Sequence, residues 1–277
     1  MKITICGVRG SIPTSGPQTI YFGGNTSCIA VSNDDMMLVL DAGTGIQNLP
    51  VNNNSGNKRI DILLTHLHLD HIQGLGFFKP LFDPSMEVHI WGPASSAQPL
   101  RSRLSRYFSP PLFPVHFRDL PCSLILHETE NSFFDIGPFA IQSAYVIHAG
   151  PTVGYRINDQ QSVFTYIPDH EPALGRLGMI KDARWLSGGS LAFDADLLLH
   201  DAQYTAEEYS TRKGWGHSSI EDAAEFASLT NVKRLVFSHY DPAHHDDQLI
   251  EIFRCFGENY KYTFKYEQAI EGMVIDL

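Results

Sequence analysis

Four side chains that commonly bind metal ions lie within six consecutive residues, directly after an apolar run. The run Ile62–Leu64 has the pattern of a strand, and His66, His68, Asp70 and His71 follow it. Because side chains alternate in direction along an extended chain, the first two histidines should point the same way. The intervening leucines should point into the core. The chain must then turn, so that the last two ligands face a neighbouring point. This spacing predicts a metal site with room for two ions.

Three further residues of the same types stand later in the chain, each where a predicted strand ends. They are His148, Asp169 and His239. Binding sites of open sheets usually form at the ends of strands, so these residues can converge on one edge. With the His66–His71 segment they supply seven imidazole or carboxylate ligands, which is enough for two half-open metal sites.

Short apolar runs separated by Gly, Pro and Asn predict many strands that could position these residues. Strands dominate the first half of the chain and alternate with helices in the second, which favours mixed sheets with outer helices over an all-β sandwich. The predicted strands are Lys2–Cys6, Ser27–Ser32, Met36–Asp41, Ile60–Leu64, Glu87–Trp91, Ser123–His127, Phe139–Ile147, Val153–Ile157, Ser162–Ile167, Leu197–His200, Arg234–Phe237 and Met273–Ile275. The predicted helices are Ser95–Tyr107, Ser219–Leu229 and Asp246–Cys255, the second with a capping box of Ser218 and Glu221.

One further segment is a predicted loop, and two others each have two interpretations. Asn52–Asn57 has the composition of a surface loop. Ser109–Pro114 contains three prolines and is either a rigid surface connection or a lid or subunit contact beside a site. The basic residues Arg101, Arg103 and Arg106 form either a solvated helix face or a contact for phosphate or a partner.

The composition is that of a folded chain with a strong acidic balance. The chain has 277 residues and a formal charge of -11, which argues against a long RNA or DNA substrate because nucleic-acid binding rests on basic surface. The four cysteines are far apart, so free thiols in a reducing compartment are expected. No apolar run approaches the ~20 residues of a membrane span, and no signal peptide is evident. We therefore expect a cytoplasmic protein.

The order of these residues resembles that of the metallo-β-lactamase superfamily. The resemblance rests on the loop Asp41–Gly45, the His-x-His-x-Asp-His segment and the later His148, Asp169 and His239, and it spans most of the chain. It implies an α/β fold, the four-layer αβ/βα sandwich, in which two mixed β-sheets pack face to face with helices outside. The chain would be a single domain over 1–277, with a Pro-rich insertion around 95–120.

The same resemblance divides the ligands between two ions. It assigns His66, His68 and His148 to the first metal, Asp70, His71 and His239 to the second, and Asp169 to a bridge between them. Zn²⁺ is the default for imidazole and carboxylate ligands, although Mn²⁺ or Fe²⁺ could replace it. Asp41 would either orient a ligand or simply form the turn before Gly43. The implied reaction is two-metal hydrolysis, with a hydroxide between the metals as the nucleophile.

Departures from several branches of the superfamily narrow the choice. The bridging residue is Asp169 rather than Cys, which argues against antibiotic-degrading lactamases, and His68 stands where the di-iron oxygen-reducing branch has Glu. From His148 to Asp169 is only 21 residues, too short for the arm with which ribonuclease Z grips tRNA. The segment Ile72–Gly74 lacks the Gly-Gly pair of glyoxalase II.

One segment points to a particular chemistry. Gly214–Ser219 resembles the region where phosphodiesterases of the ribonuclease Z and phosphonate-pathway type carry an extra histidine. His217 would lie at a helix N-terminus, which favours anions, and could hold a phosphate oxygen or protonate the leaving alkoxide. Asp201 resembles an acidic position of ribonuclease Z and could orient this imidazole. The alternative is that His217 only enters the helix through the capping turn and that Asp201 is an ordinary residue at the end of a strand. The predicted catalytic residues are His217, Asp70 and Asp201.

The opening segments Gly7–Pro13 and Gly23–Cys28 resemble a subgroup described as cyclic-nucleotide phosphodiesterase-like. We therefore expect a metal-dependent phosphodiesterase that hydrolyses a small phosphodiester, first of all a cyclic nucleotide. A lactone or thioester hydrolase is the alternative, and a tRNA-processing nuclease or a non-catalytic binding protein ranks lower. We expect no long nucleic acid and no membrane as partners, and the Pro-rich segment suggests a homodimer. His170, beside Asp169, is a candidate for lining the entrance.

Overall fold

The computed structural model describes residues 1–33, 36–50, 58–174 and 178–277. Its strands form two seven-stranded sheets. Across the first sheet the strands are, in order, Val274–Asp276 (β14), Lys2–Gly7 (β1), Cys28–Ser32 (β2), Met37–Leu40 (β3), Arg59–Leu63 (β4), Glu87–Pro93 (β5) and Ser123–Thr129 (β6). Across the second they are Lys265–Gln268 (β13), Arg234–Ser238 (β12), Leu197–Asp201 (β11), Val163–Ile167 (β10), Val153–Asn158 (β9), Phe139–Tyr145 (β8) and Ser132–Ile136 (β7).

Both sheets are mixed, and both change from antiparallel to parallel pairing part of the way across. In the first sheet β14, β1, β2 and β3 pair antiparallel, and β3 to β6 pair parallel. In the second sheet β7 to β10 pair antiparallel, and β10 to β13 pair parallel. The parallel halves bring successive strand ends to one edge of each sheet, where all the predicted ligands except His148 follow. His148 follows β8, which runs in the same direction as β10 and therefore ends at the same edge.

Alternation along the strands builds two apolar layers. In β3, Leu40 joins a core shared with the second sheet, whereas Val39 faces the opposite side. On that side Val39 packs in a cluster that includes Leu100 and Leu104. Strands with both faces buried are apolar at nearly every position, which is why the sequence marks them clearly. Two mixed sheets packed face to face agree with the predicted architecture.

Six α-helices flank the sheets in the described part of the chain. They are Leu69–Ile72 (α1), Leu100–Tyr107 (α2), Gly189–Ala192 (α3), Ala206–Arg212 (α4), Ile220–Leu229 (α5) and Asp246–Asn259 (α6). α5 and α6 lie on the second sheet, where Phe226 contacts His200 and Phe253 contacts Phe237. No helix among the described residues has both the length and the apolar character that crossing a membrane requires.

Two predictions about these elements need correction, and four others stay untested. The cap of α5 is Ser219, which accepts a hydrogen bond from the Asp222 N–H, because the Ser218 hydroxyl instead donates to the His170 carbonyl at 2.6 Å. α2 begins at Leu100, later than the predicted Ser95. The loop predicted at Asn52–Asn57 lies outside the described residues. The single domain, the insertion at 95–120 and the homodimer stay predictions.

Candidate metal centre

All seven predicted ligands lie where strands of the two sheets end. His66 and His68 belong to the loop after β4, and α1 supplies Asp70 and His71. His148 follows β8, Asp169 follows β10, and His239 follows β12. The first sheet thus contributes one continuous segment, whereas the second contributes single residues from three strand ends.

These residues form two clusters of metal-ligand atoms, and within each cluster the atoms lie within 4.8 Å of one another. The outer cluster consists of His66, His68, His148 and Asp169. The inner cluster consists of Asp70, His71, Asp169 and His239. Every residue of the inner cluster is buried, whereas His68 of the outer cluster is exposed.

Asp169 is shared because its two carboxylate oxygens face different clusters. Its Oδ2 lies 3.7 Å from His66 Nε2 and 3.6 Å from His148 Nε2. Its Oδ1 lies 3.0 Å from His71 Nε2 and 3.2 Å from His239 Nε2. A carboxylate placed in this way can bind one cation through each oxygen. This is the arrangement that a bridging ligand needs.

The histidine nitrogen atoms of the two clusters can bind divalent cations. His66 Nε2 is buried without a hydrogen-bond partner among the described residues, which is costly unless a ligand fills the position. Burial lowers the pKa values of His66, His68 and His148, so these imidazoles are neutral and can donate lone pairs. Imidazole and carboxylate donors suit Zn²⁺, Mn²⁺ or Fe²⁺. The residues present therefore fit two divalent metal ions.

Asp41 orients the inner cluster from the end of β3. Its buried carboxylate lies 2.7 Å from His71 Nδ1, and it accepts hydrogen bonds from the Thr65 N–H at 2.7 Å and from the Tyr166 hydroxyl at 2.9 Å. Although burial opposes protonation of His71, the charges of Asp169, Asp70 and Asp41 raise the pKa of this imidazole. A hydrogen bond at Nδ1 turns Nε2 toward the cluster. This contact favours the orienting interpretation of Asp41.

Two orienting residues were not predicted from the sequence. Gln203 places its Oε1 3.1 Å from His239 Nδ1 in the inner cluster. Glu171 acts on the outer cluster through a loop, because its buried carboxylate accepts hydrogen bonds from the N–H groups of Gly214 at 2.8 Å and Gly216 at 2.7 Å. The only signal for Glu171 is its place two residues after Asp169.

The loop held by Glu171 in turn fixes His148. The Gly216 carbonyl lies 2.6 Å from His148 Nδ1. Gly216 has a φ of 90°, and a Cβ added there would lie 2.4 Å from the same nitrogen. Only glycine therefore allows the loop to approach this close.

His217 and Asp201 lie beside both clusters. His217 Nδ1 is 2.8 Å from Asp201 Oδ2 and 3.8 Å from Asp169 Oδ2. Burial opposes the charged imidazole, but the charge and hydrogen bond of Asp201 raise the pKa of His217 to about 9. Asp201, His217 and His239 also form a third group of possible metal ligands. His217 lies two residues before the α5 cap at Ser219 rather than in the first turn of the helix.

The structure decides one neighbouring prediction and leaves a second one open. His170 does not line the entrance, because it is buried with Nδ1 2.9 Å from His200 Nε2 and Nε2 3.0 Å from the Ser187 hydroxyl. The packing of the second sheet against α5 holds it there. The second prediction concerns the basic residues Arg101, Arg103 and Arg106. The last two line a cavity of about 330 Å³ that reaches His66 and His68.

Known proteins of similar sequence and structure extend this description. Ribonuclease Z of Prochlorococcus marinus subsp. pastoris is 27% identical over 286 aligned residues, which cover 87% of this chain and 88% of the relative. The crystal structure of human tRNase Z, short form, superposes with a TM-score of 0.69 at 21% identity, covering 100% of this chain and 99% of that one. A diphosphatase from the PhnP family superposes with a TM-score of 0.68 at 17% identity, covering 99% and 96%.

One prediction is wrong in the light of these relatives. The acidic composition led us to exclude a long nucleic acid as substrate. However, 87% of this chain aligns with a ribonuclease Z. The formal charge of -11 averages over the whole surface, whereas binding depends on the field near the site. Arg103 and Arg106 give the cavity beside the outer cluster a local positive charge.

A family model described as the beta-lactamase superfamily domain matches residues 37–240. The matched residues include both clusters, Asp201 and His217. The two mixed sheets and the similar solved structures confirm the predicted fold. The chain therefore belongs to the metallo-β-lactamase superfamily and is a metal-dependent hydrolase.

Proposed function

We propose that this protein is a phosphodiesterase that uses two divalent metal ions, Zn²⁺ in the first place, held by the outer and inner clusters. The observation behind the proposal is the division of the Asp169 carboxylate between the clusters, with His217 within 3.8 Å of the same group. Two cations bound there would activate water and neutralise the charge of an attacked phosphoryl group.

The chain's own residues would do the rest of the chemistry. Because His217 Nδ1 is engaged by Asp201, its other ring nitrogen is left to donate a proton or a hydrogen bond to a phosphate or leaving oxygen. Asp201 in turn fixes the ring and stabilises its positive charge. Asp70, Asp41 and Gln203 keep the inner cluster in place around the reacting phosphate.

Two substrates are favoured by different observations. The resemblance of Gly7–Pro13 and Gly23–Cys28 to the cyclic-nucleotide phosphodiesterase-like subgroup favours a cyclic nucleotide. The similarity to ribonuclease Z over 87% of the chain favours a phosphodiester bond of RNA. Both substrates need the same attack on a phosphodiester, so a single metal centre could serve either.

The test is a panel of substrates given to protein loaded with Zn²⁺ or Mn²⁺, with the metal content measured. The panel contains bis(p-nitrophenyl) phosphate, 3′,5′-cyclic AMP, a precursor-tRNA transcript, a lactone and a thioester. We expect phosphodiester hydrolysis that a chelator abolishes, and the rates on cyclic AMP and RNA then rank the two candidates. Hydrolysis of only the lactone or thioester by protein that contains two metals would overturn the proposal.

A further inference from the structure

A cavity of about 330 Å³ opens directly beside the outer cluster. This volume lies within the range of roughly 300–1,000 Å³ that is usual for small-molecule sites. Its lining comes from the metal loop, from α1 and α2, and from the Pro-rich segment and the turn after His148. Among the lining residues are His66, His68, Arg103, Arg106 and Tyr107. Any group attached to a phosphate at the outer cluster could extend into this space.

Most of the cavity wall is apolar and reachable from solvent. Leu69 and Leu112 are 62% and 71% exposed, and the lining also includes exposed Pro151 and buried Ile72. Large apolar side chains exposed around one cavity mark a site for an organic group more often than an accident of the surface. The wall therefore suits the sugar and base of a nucleotide, which can pack against it while the phosphate lies at the metal centre.

The two arginines of the cavity differ in how far they are already engaged. Arg103 donates from Nε to the Gln98 carbonyl at 3.0 Å and also donates to the Pro93 carbonyl, and its guanidinium lies 3.5 Å from Glu128. This side chain therefore fastens α2 to the end of β5.

Arg106 is different because it keeps most of its hydrogen-bonding capacity. Among the described residues its guanidinium makes one hydrogen bond, from Nη2 to the Gln98 side-chain oxygen at 2.8 Å, and no carboxylate forms an ion pair with it. A guanidinium has five N–H donors, so four are left for a ligand. The residue is exposed and lies at the rim of a cavity with an apolar wall.

We propose that this cavity binds the nucleoside next to the scissile phosphodiester, and that Arg106 contacts a second phosphate on that nucleoside. The inference rests on the proposed function and names its substrate class as linear nucleotides with a further phosphate. The guanidinium fork matches phosphate geometry and forms strong charge-assisted hydrogen bonds. A 3′,5′-cyclic mononucleotide has only one phosphate. If this phosphate lies at the metal centre, Arg106 is left without an anionic partner.

Two chromogenic substrates with the same leaving group test this inference. They are thymidine 5′-(p-nitrophenyl phosphate) and the same compound with a 3′-phosphate. We expect kcat/KM of the wild-type protein to be roughly 10-fold higher for the compound with the 3′-phosphate, as one charge-assisted contact at an exposed site would give. Arg106→Ala should remove this preference.

Arg101→Ala is the matched control, because Arg101 lies on the same helix with the same charge but outside the cavity, next to the Phe117 ring. It should keep the preference. Equal kcat/KM for the two compounds in the wild-type protein would overturn the inference, and so would an equal loss of preference in both variants. If the metal-loaded protein releases no p-nitrophenolate from either compound or from bis(p-nitrophenyl) phosphate, the proposed function itself fails.

Discussion

The two clusters differ in how firmly the protein holds their residues. In the inner cluster His71 is anchored by Asp41, His239 by Gln203, and Asp70 by the Ser11 N–H at 2.7 Å. In the outer cluster the Gly216 carbonyl holds His148, but His68 is exposed, and the one hydrogen-bonding contact of its ring in the described part of the chain is with His148, at 3.2 Å. The inner cluster is therefore preorganised, whereas the outer cluster faces the cavity where substrate would enter.

The inner cluster also has more negative charge around it than the outer cluster. Asp70 and Asp169 belong to the inner cluster and Asp41 lies directly behind it, whereas the outer cluster has Asp169 alone. Carboxylates in a buried site attract a cation strongly because water does not screen them. Two neighbouring metal sites built from the same types of residue can therefore bind their ions with different affinities. We expect tighter binding in the inner cluster.

The largest effect should come from the residue that the clusters share. Asp169→Ala removes a ligand from both, so we expect loss of both ions and a fall in phosphodiester kcat/KM of more than about 1,000-fold, since one orienting residue alone costs 10–100-fold. Metal content by mass spectrometry and a kinetic assay check this. Asp182→Asn, at a partly exposed carboxylate outside both clusters, is the control. Retention of two ions by Asp169→Ala would refute the bridging assignment.

His217→Ala should separate catalysis from metal binding. Removal of a general acid usually costs at least about 100-fold in kcat, while both clusters remain complete. The measurement is kcat together with metal content, and exposed His116→Ala is the control. Full activity would exclude the acid role, and loss of an ion would instead assign His217 to the third group of ligands.

A pair of variants should weaken the clusters one at a time. Glu171→Gln leaves one of the loop N–H groups without its acceptor, so the outer ion should bind about 10-fold more weakly. Gln203→Ala removes the partner of His239 and should weaken the inner ion by a similar factor. Calorimetric titration of metal into each apo variant distinguishes the two sites. If both variants weaken the same ion, the division into two clusters is wrong.

The smallest effect concerns the unmodified protein. Titration with a chelator should remove the outer ion first, through a difference in affinity of roughly 10-fold, the size that one set of orienting contacts gives. Native mass spectrometry should then show chains with one ion at intermediate chelator concentration. A direct change from two ions to none would contradict the ranking.

The central strands were predictable, but two edge strands were not. β10 and β11 are buried on both faces, so their sequences are apolar at most positions. β13 (Lys265–Gln268) and β7 (Ser132–Ile136) lie at the two edges of the second sheet, where polar residues and a 79% exposed Phe133 break the pattern. α4 was missed although its capping box, Thr205 with Glu208, is readable in the sequence.

The candidate site, too, could be predicted only in part from the sequence. His66–His71 could be recognised because its spacing is local, and the later residues because each follows an apolar strand. Glu171 and Gln203 contact groups 45 and 36 residues away, and only the folded chain brings those partners together. Apart from the place of Glu171 two residues after Asp169, no local pattern distinguishes these two from other polar residues.

The division of the ligands between the sheets has a consequence for the lifetime of the protein. His66–His71 comes from the first sheet, and His148, Asp169 and His239 come from the second, so a pair of bound ions would act as a cross-link between the halves of the fold. A ligand that binds only the native state stabilises it by about 4 kcal/mol per site when present at a thousandfold excess over its Kd. The sheets could then separate only after the ions had left, so scarcity of metal would shorten the survival of the folded chain as well as its activity.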